Sequence, residues 1–147
     1  MSPAVPPPYP PARELLAGKN VLVTAAAGTG IGFAVARRCA EEGATVMISD
    51  IHERRLNEAA AELEKLTGAP TPTQLCNVTS QEDVDALWAA AVDRLGDVDV
   101  LMNNAGLGGE VELVDMTDEQ WHVVLDVTLN GTFRMTRGGL QHMNSRG

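Results

Sequence analysis

The chain is 147 residues long, 44% hydrophobic and only 3% aromatic, with a formal net charge of −9. That length fits one domain with an aliphatic core, and an acidic chain with no run of Lys or Arg argues against nucleic acid or an anionic membrane surface as a partner. No segment approaches the roughly 18 apolar residues of a membrane span, and the N-terminus lacks the basic and apolar regions of a secretory signal, so a cytoplasmic location is expected.

Residues 1–12 hold six of the eight prolines and the only tyrosine, Tyr9. Proline cannot donate to a hydrogen-bond ladder, so this stretch reads as a solvated, extended or disordered tail, with a proline-recognition ligand as the lesser alternative. Residues 18–147 read as the folded domain. Val21-Leu22-Val23 begins it as a short apolar strand that breaks into Thr24-Ala25-Ala26-Ala27-Gly28-Thr29-Gly30-Ile31-Gly32. Strand, glycine turn, then helix is the order a pyrophosphate site needs: glycines let the backbone approach phosphate oxygens, and free N–H groups at the positive helix end face the anion. Tight packing alone would also place glycines there.

A helix is predicted over 31–42, with Ala34, Val35 and Cys39 at helical spacing and Gly43 closing it. Thr45 to Ser49 is the second strand, ending at Asp50. Leu56, Ala59, Ala60, Leu63 and Leu66 form the stripe of a second helix, stopped by Gly68 and Pro70. Gln74 to Val78 is a third strand. Ser80 with Asp83 caps a third helix, whose apolar face runs Val84, Leu87, Trp88, Ala91, Val92 and Leu95 before Gly96. Val98 to Met102 is a fourth strand running into Asn103-Asn104-Ala105-Gly106. Thr117 and Gln120 form another capping box, opening a helix over about 118–142 that carries Trp121, Val124, Leu125, Leu129 and Thr132 and is weakened late by Gly138-Gly139. Cys39 and Cys76 read as buried thiols in a reducing compartment, and two cysteines make neither a disulfide framework nor a zinc site. No metal site is expected.

Strands alternating with helical patterns predict an α/β fold: a Rossmann-type doubly wound parallel sheet of order 3-2-1-4, with ligand at the carboxyl edge above the first strand. Asp50, 18 residues beyond Gly32, can accept both hydroxyls of an adenosine ribose, and its charge disfavours a 2′-phosphate. A helix-capping aspartate is the plain alternative. Arg54 and Arg55 could hold a 2′-phosphate but read better as a solvated helix face, so NAD is favoured over NADP.

Thr24 to Gly32, Asp50, Asn77-Val78 and Asn103-Asn104-Ala105-Gly106 together resemble the short-chain dehydrogenases/reductases, most closely the 3-oxoacyl-reductase and hydroxysteroid-dehydrogenase branch. The resemblance covers roughly residues 18–144. It implies that Gly28, Thr29, Gly30 and Ile31 hold the pyrophosphate, Asp50 the adenosine ribose, and Asn77 and Val78 the adenine edge. It further implies that Asn104, Ala105 and Gly106 line the nicotinamide-side ribose and that Val127 packs near the nicotinamide. Three positions depart from the family pattern. Ala25 stands where a glycine is usual, in a loop one residue longer. Asn77 replaces an aspartate, its amide oxygen still able to accept from the adenine amine. Thr128 occupies the position of a catalytic asparagine, which Asn130 cannot replace because two residues turn a helix side chain through about 200°; a main-chain carbonyl there, which the family uses in a water chain, is available from any residue.

The family's chemistry also needs a serine and a Tyr-x-x-x-Lys pair, the lysine lowering the phenol's pKa. Lys19 and Lys65 are the only lysines, and neither follows Tyr9 at that spacing. The expected reading is therefore the NAD-binding part of an oxidoreductase that moves a hydride between NAD(H) and a secondary alcohol or ketone, hydroxyacyl or steroid-like, with a homo-oligomer expected for the full-length form. The chain reads as a fragment, inactive by itself, with its fourth strand left as an edge and a tendency to self-associate. A non-catalytic dinucleotide-binding or interaction module is the alternative.

Overall fold

The computed structural model describes residues 7–108 and 111–146. Strands β1 (Asn20–Val23), β2 (Thr45–Asp50), β3 (Thr73–Leu75) and β4 (Val100–Met102) form one parallel sheet of order β3-β2-β1-β4. Parallel neighbours require crossovers, and these are helices α1 (Ile31–Glu41), α2 (Glu53–Thr67) and α3 (Gln81–Leu95). The apolar strand runs are buried on both faces, and their period-2 alternation divides the core in two. Val21, Val23, Val46 and Ile48 pack under α1 and α2, while Leu22 and Met47 face Val84, Leu87, Ala91 and Met135 on the opposite side.

The helical region predicted over 118–142 is α4 (Asp118–Leu125), a π-helical turn (Asp126–Asn130) and α5 (Gly131–Asn144). Both predicted caps form: Ser80 accepts from the Asp83 N–H, and Thr117 and Gln120 make a reciprocal capping box. Other expectations shift. The packed stripe of α1 is Gly32, Val35, Ala36 and Cys39, with Ala34 outside it, because 32, 35, 36 and 39 keep the i, i+3, i+4, i+7 spacing. Cys39 is only half-buried; Cys76 is buried. Leu66 and Val92 lie on the exposed sides of their helices, and Trp121 and Leu129 are exposed as well. The inward face of α5 is Gly131, Met135 and Gly139.

The proline-rich stretch is not wholly free. Residues 1–6 lie outside the described residues, but the part from Pro7 onward, although exposed, is pinned to α1. Arg38 donates to the carbonyls of Pro10 (2.7 Å) and Pro11 (3.2 Å) and stacks over the Tyr9 ring, whose hydroxyl donates to Glu41 (2.6 Å). Beneath it, the nearly buried Glu42 carboxylate accepts the N–H groups of Arg13 (2.8 Å) and Leu15 (3.1 Å) and pairs with Arg38.

Candidate nucleotide site

The strand order switches sides at β1, with β2 on one side and β4 on the other, and this opens a crevice above the carboxyl ends of these parallel strands. Thr24 is its keystone. The hydroxyl donates to the Met102 carbonyl (3.3 Å) and accepts the N–H groups of Asn104 (3.0 Å) and Ala105 (3.2 Å), tying the end of β4 to the loop after β1. The Asn104 side chain donates to the Ala25 carbonyl (3.0 Å). It is a brace between the two loops. Gly32 sits against this brace so closely that a Cβ would lie 2.4 Å from the Ala25 oxygen and 2.5 Å from Asn104 Nδ2. Ala25 takes a positive φ of 51°, which explains why a glycine is the more usual residue there.

The loop then presents its amides. The Ala26 N–H pairs with the Ser49 carbonyl (3.0 Å) and Ala27 donates to Asp50 Oδ2 (3.1 Å), but among the described residues the N–H groups of Gly28, Thr29, Gly30 and Ile31 meet no acceptor. Gly30, the residue before α1, brings no side-chain cap, and no acid stands in the first turn of α1. By contrast α3 carries Ser80, Glu82 and Asp83 at its start. An uncapped, uncountered helix N-terminus facing a crevice favours a bound anion.

Asp50 is almost buried at the end of β2. One carboxylate oxygen takes the Ala27 N–H and the other the His52 N–H (3.0 Å). An ionised carboxylate offers about four lone-pair sites, so both oxygens keep capacity for sugar hydroxyls.

A cleft of about 280 Å³ runs from Asp50 across the sheet edge. Of the residues singled out from the sequence it brings together Asp50, Asn77, Val78, Ala105, Gly106 and Val127. Gly28, Thr29, Gly30 and Ile31 flank it on the exposed loop, and Asn104 stands behind the wall. Ala25, Ala27, Ile51, His52, Cys76 and Leu107 also line it, and so does Arg55, which turns to the cleft while Arg54 faces solvent and pairs with Glu58. Both arginines are exposed, and the roughly 100° between neighbouring helix positions points them in different directions. The Asn77 amide oxygen accepts both the Thr79 N–H (3.1 Å) and its hydroxyl (2.9 Å), so that oxygen is committed and the amide NH₂ is the group left for a ligand. Burial, with a lesser push from the charge of Asp83, raises the Cys76 thiol to about 12, so it contributes shape and no nucleophile. On the far wall the Thr128 hydroxyl accepts the Leu107 N–H (3.1 Å), and the Thr128 carbonyl accepts the Thr132 hydroxyl (2.8 Å).

The short chain dehydrogenase family profile matches residues 19–147. The chain belongs to the short-chain dehydrogenases/reductases. It is 56% identical over 128 residues to the (5R,7aS)-5-hydroxy-7a-methyl-1-oxo-2,3,5,6,7,7a-hexahydro-1H-indene-carboxyl-CoA reductase of Mycobacterium tuberculosis, covering 87% of this chain and 49% of that protein. The 3-oxoacyl-[acyl-carrier-protein] reductase FabG of Thermotoga maritima is 39% identical, covering 87% and 51%. Among solved structures, a short chain dehydrogenase from Mycobacterium smegmatis superposes with a TM-score of 0.90 at 52% identity, covering 95% of this chain and 58% of that one. The 3-ketoacyl-(acyl-carrier-protein) reductase of Brucella melitensis, complexed with NADH, superposes at 0.81 and 32% identity, covering 89% and 52%. The chain thus spans about half the length of the curated relatives it matches. Short-chain dehydrogenases/reductases use nicotinamide dinucleotides, and no helix among the described residues is long and apolar enough to cross a membrane.

Proposed function

We propose that this chain is the NAD(H)-binding part of an oxidoreductase that interconverts a secondary alcohol and a ketone on an acyl-thioester substrate. The observation that carries the reading is the combination of four acceptor-free loop amides, Gly28 to Ile31, beside the cleft with the Asp50 carboxylate on its wall, the two joined through the Ala27 N–H. That donor and acceptor set fits a dinucleotide: diphosphate on the amides, ribose hydroxyls on Asp50, and the adenine edge against Val78 and the Asn77 NH₂. When bound, the nicotinamide supplies the redox chemistry. The chain's own work is to bind and orient, with Ala105, Gly106 and Val127 forming the wall on the nicotinamide side.

The substrate class follows from two relatives named as a CoA-thioester reductase and an acyl-carrier-protein reductase. A bicyclic ring ketone carried on a CoA ester joins the acyl and steroid-like alternatives in one molecule. NAD is preferred because the Asp50 charge opposes a 2′-phosphate. Arg55 at the cleft wall is a feature that favours NADP. Titration of NADH and NADPH fluorescence against the wild type and Asp50→Ala tests the assignment. Saturable NADH binding, weakened roughly tenfold or more by Asp50→Ala, is expected, since hydrogen bonds to a charged group contribute about 1.5–3 kcal/mol. Tighter binding of NADPH than NADH by the wild type would transfer the role to Arg55. Equal NADH binding by both proteins would remove Asp50 from the site.

A further inference from the structure

We propose that the π-helical turn Asp126–Asn130 sets the opening of the nucleotide cleft, with Arg134 and Thr128 as positioning residues for its two opposite walls. This rests on the cleft being the nucleotide site. In a regular α-helix each N–H returns to the carbonyl four residues back; here the Gly131 N–H reaches the Asp126 carbonyl five back, so one residue is inserted into the turn. The insertion carries the start of α5 against the loop after β3. Gly131 lies so near Val78 that a Cβ would stand 2.6 Å from its Cγ2.

Two side-chain struts leave the turn in opposite directions. Arg134 donates to Asp126 Oδ1 (2.9 Å) and to the Val78 carbonyl (3.3 Å), and the Asn130 NH₂ also donates to Asp126 Oδ1 (3.0 Å). The planar guanidinium is thereby fixed at one end by a carboxylate and holds the Val78 wall at the other. On the second side Thr128 takes the Leu107 N–H, and its own carbonyl is fastened by Thr132 one turn on. Gly106 packs on this hydroxyl at 3.6 Å from where its Cβ would be. Val127, between the two struts, faces the cleft itself. Thus Val78, Val127 and Leu107, three wall residues from three segments, are registered by one turn.

The two struts serve different ends of a bound dinucleotide, and this makes them separable. Thr128→Val keeps the shape and removes the hydroxyl; Thr128→Ser keeps the hydroxyl. Binding of NADH, and of AMP as the adenine-side half, is measured on the 147-residue chain for wild type, both Thr128 variants and Arg134→Met. Thr128→Val should weaken NADH roughly three- to tenfold, the range for one lost hydrogen bond, and leave AMP within twofold. Thr128→Ser should restore NADH affinity. Arg134→Met should weaken AMP and NADH together by a similar factor. Hydrogen exchange at Leu107 gives a readout independent of binding: the N–H should be protected in wild type and Thr128→Ser and lose protection in Thr128→Val. NADH affinity in Thr128→Val equal to wild type, or a loss shared equally by AMP, would overturn the positioning role although the cleft assignment stands. A wild type that binds neither nucleotide would instead overturn the cleft assignment, and this inference with it.

Discussion

Glu42 shows how much one side chain can organise. It ends α1, is nearly buried, and collects the Arg13 and Leu15 N–H groups and the Arg38 guanidinium, so one carboxylate gathers three of the contacts that fasten the N-terminal stretch to the domain. Those donors favour the charged form, the Arg13 N–H most, then the Leu15 N–H, then Arg38, and hold the carboxyl below its ordinary value of 4.5. A carboxyl lowered in the folded state stabilises the fold fully above that ordinary value and loses its contribution as the pH falls through the lowered one. Thermal melts of wild type and Glu42→Gln across the acid range should therefore differ most above about pH 4.5 and converge below it. A gap that stays constant from neutral to acid pH would show that Glu42 acts through packing alone. Asp50 is organised in the same way, by the backbone N–H groups of Ala27 and His52, and it lines the cleft.

Elements were legible from the sequence where their cause is local. The Ser80 and Thr117 caps, the apolar run of Val21, Leu22 and Val23, and the Asp50 terminus of β2 all follow from neighbours a few residues away. The π turn was not legible, because its cause lies in another segment: Gly131 packs on Val78, and periodicity cannot register one inserted residue. The commitment of the Asn77 oxygen to Thr79 was hidden for the opposite reason, being so local that a search for ligands passes over it. Gly138 and Gly139 read as weak points of a helix, yet α5 can lie on α3 only because of them. A Cβ at Gly138 would stand 2.5 Å from Trp88 Cδ1, and one at Gly139 3.1 Å from its Cζ2, while the indole N–H donates to the Met135 carbonyl (3.2 Å). Propensity and packing thus predict opposite signs. Gly→Ala in an open helix gains about 1 kcal/mol, whereas overpacking costs about 1–3 kcal/mol. With the Trp88 indole held by its bond to the Met135 carbonyl, Gly138→Ala should lower stability by up to about 2 kcal/mol net. A urea titration followed by tryptophan fluorescence checks the sign, and a raised midpoint would mean that the helices do not approach as described.

At the scale of the whole molecule, the sheet is covered on both faces but not along its length. Within the described residues β4 pairs only with β1, leaving its other side as a sheet edge. Beside it, α5 turns Phe133 and Leu140 outward, and Leu129 from the π turn joins them, each more than half exposed. They lie four and seven residues apart, on one helical stripe, so they form a patch rather than scattered residues. An unpaired edge and an apolar stripe both favour association. The edge is three residues long, too short for extensive pairing, so the stripe should carry most of the effect. The 147-residue chain should therefore elute in sizing chromatography at a volume that shifts with concentration, with a scattering mass above the monomer's. Replacing Leu129, Phe133 and Leu140 together by lysine should return it to a monomer without loss of NADH binding, since none of the three lines the cleft. Association that survives the triple replacement would move the cause to β4, and a wild type monomeric at every concentration would remove both.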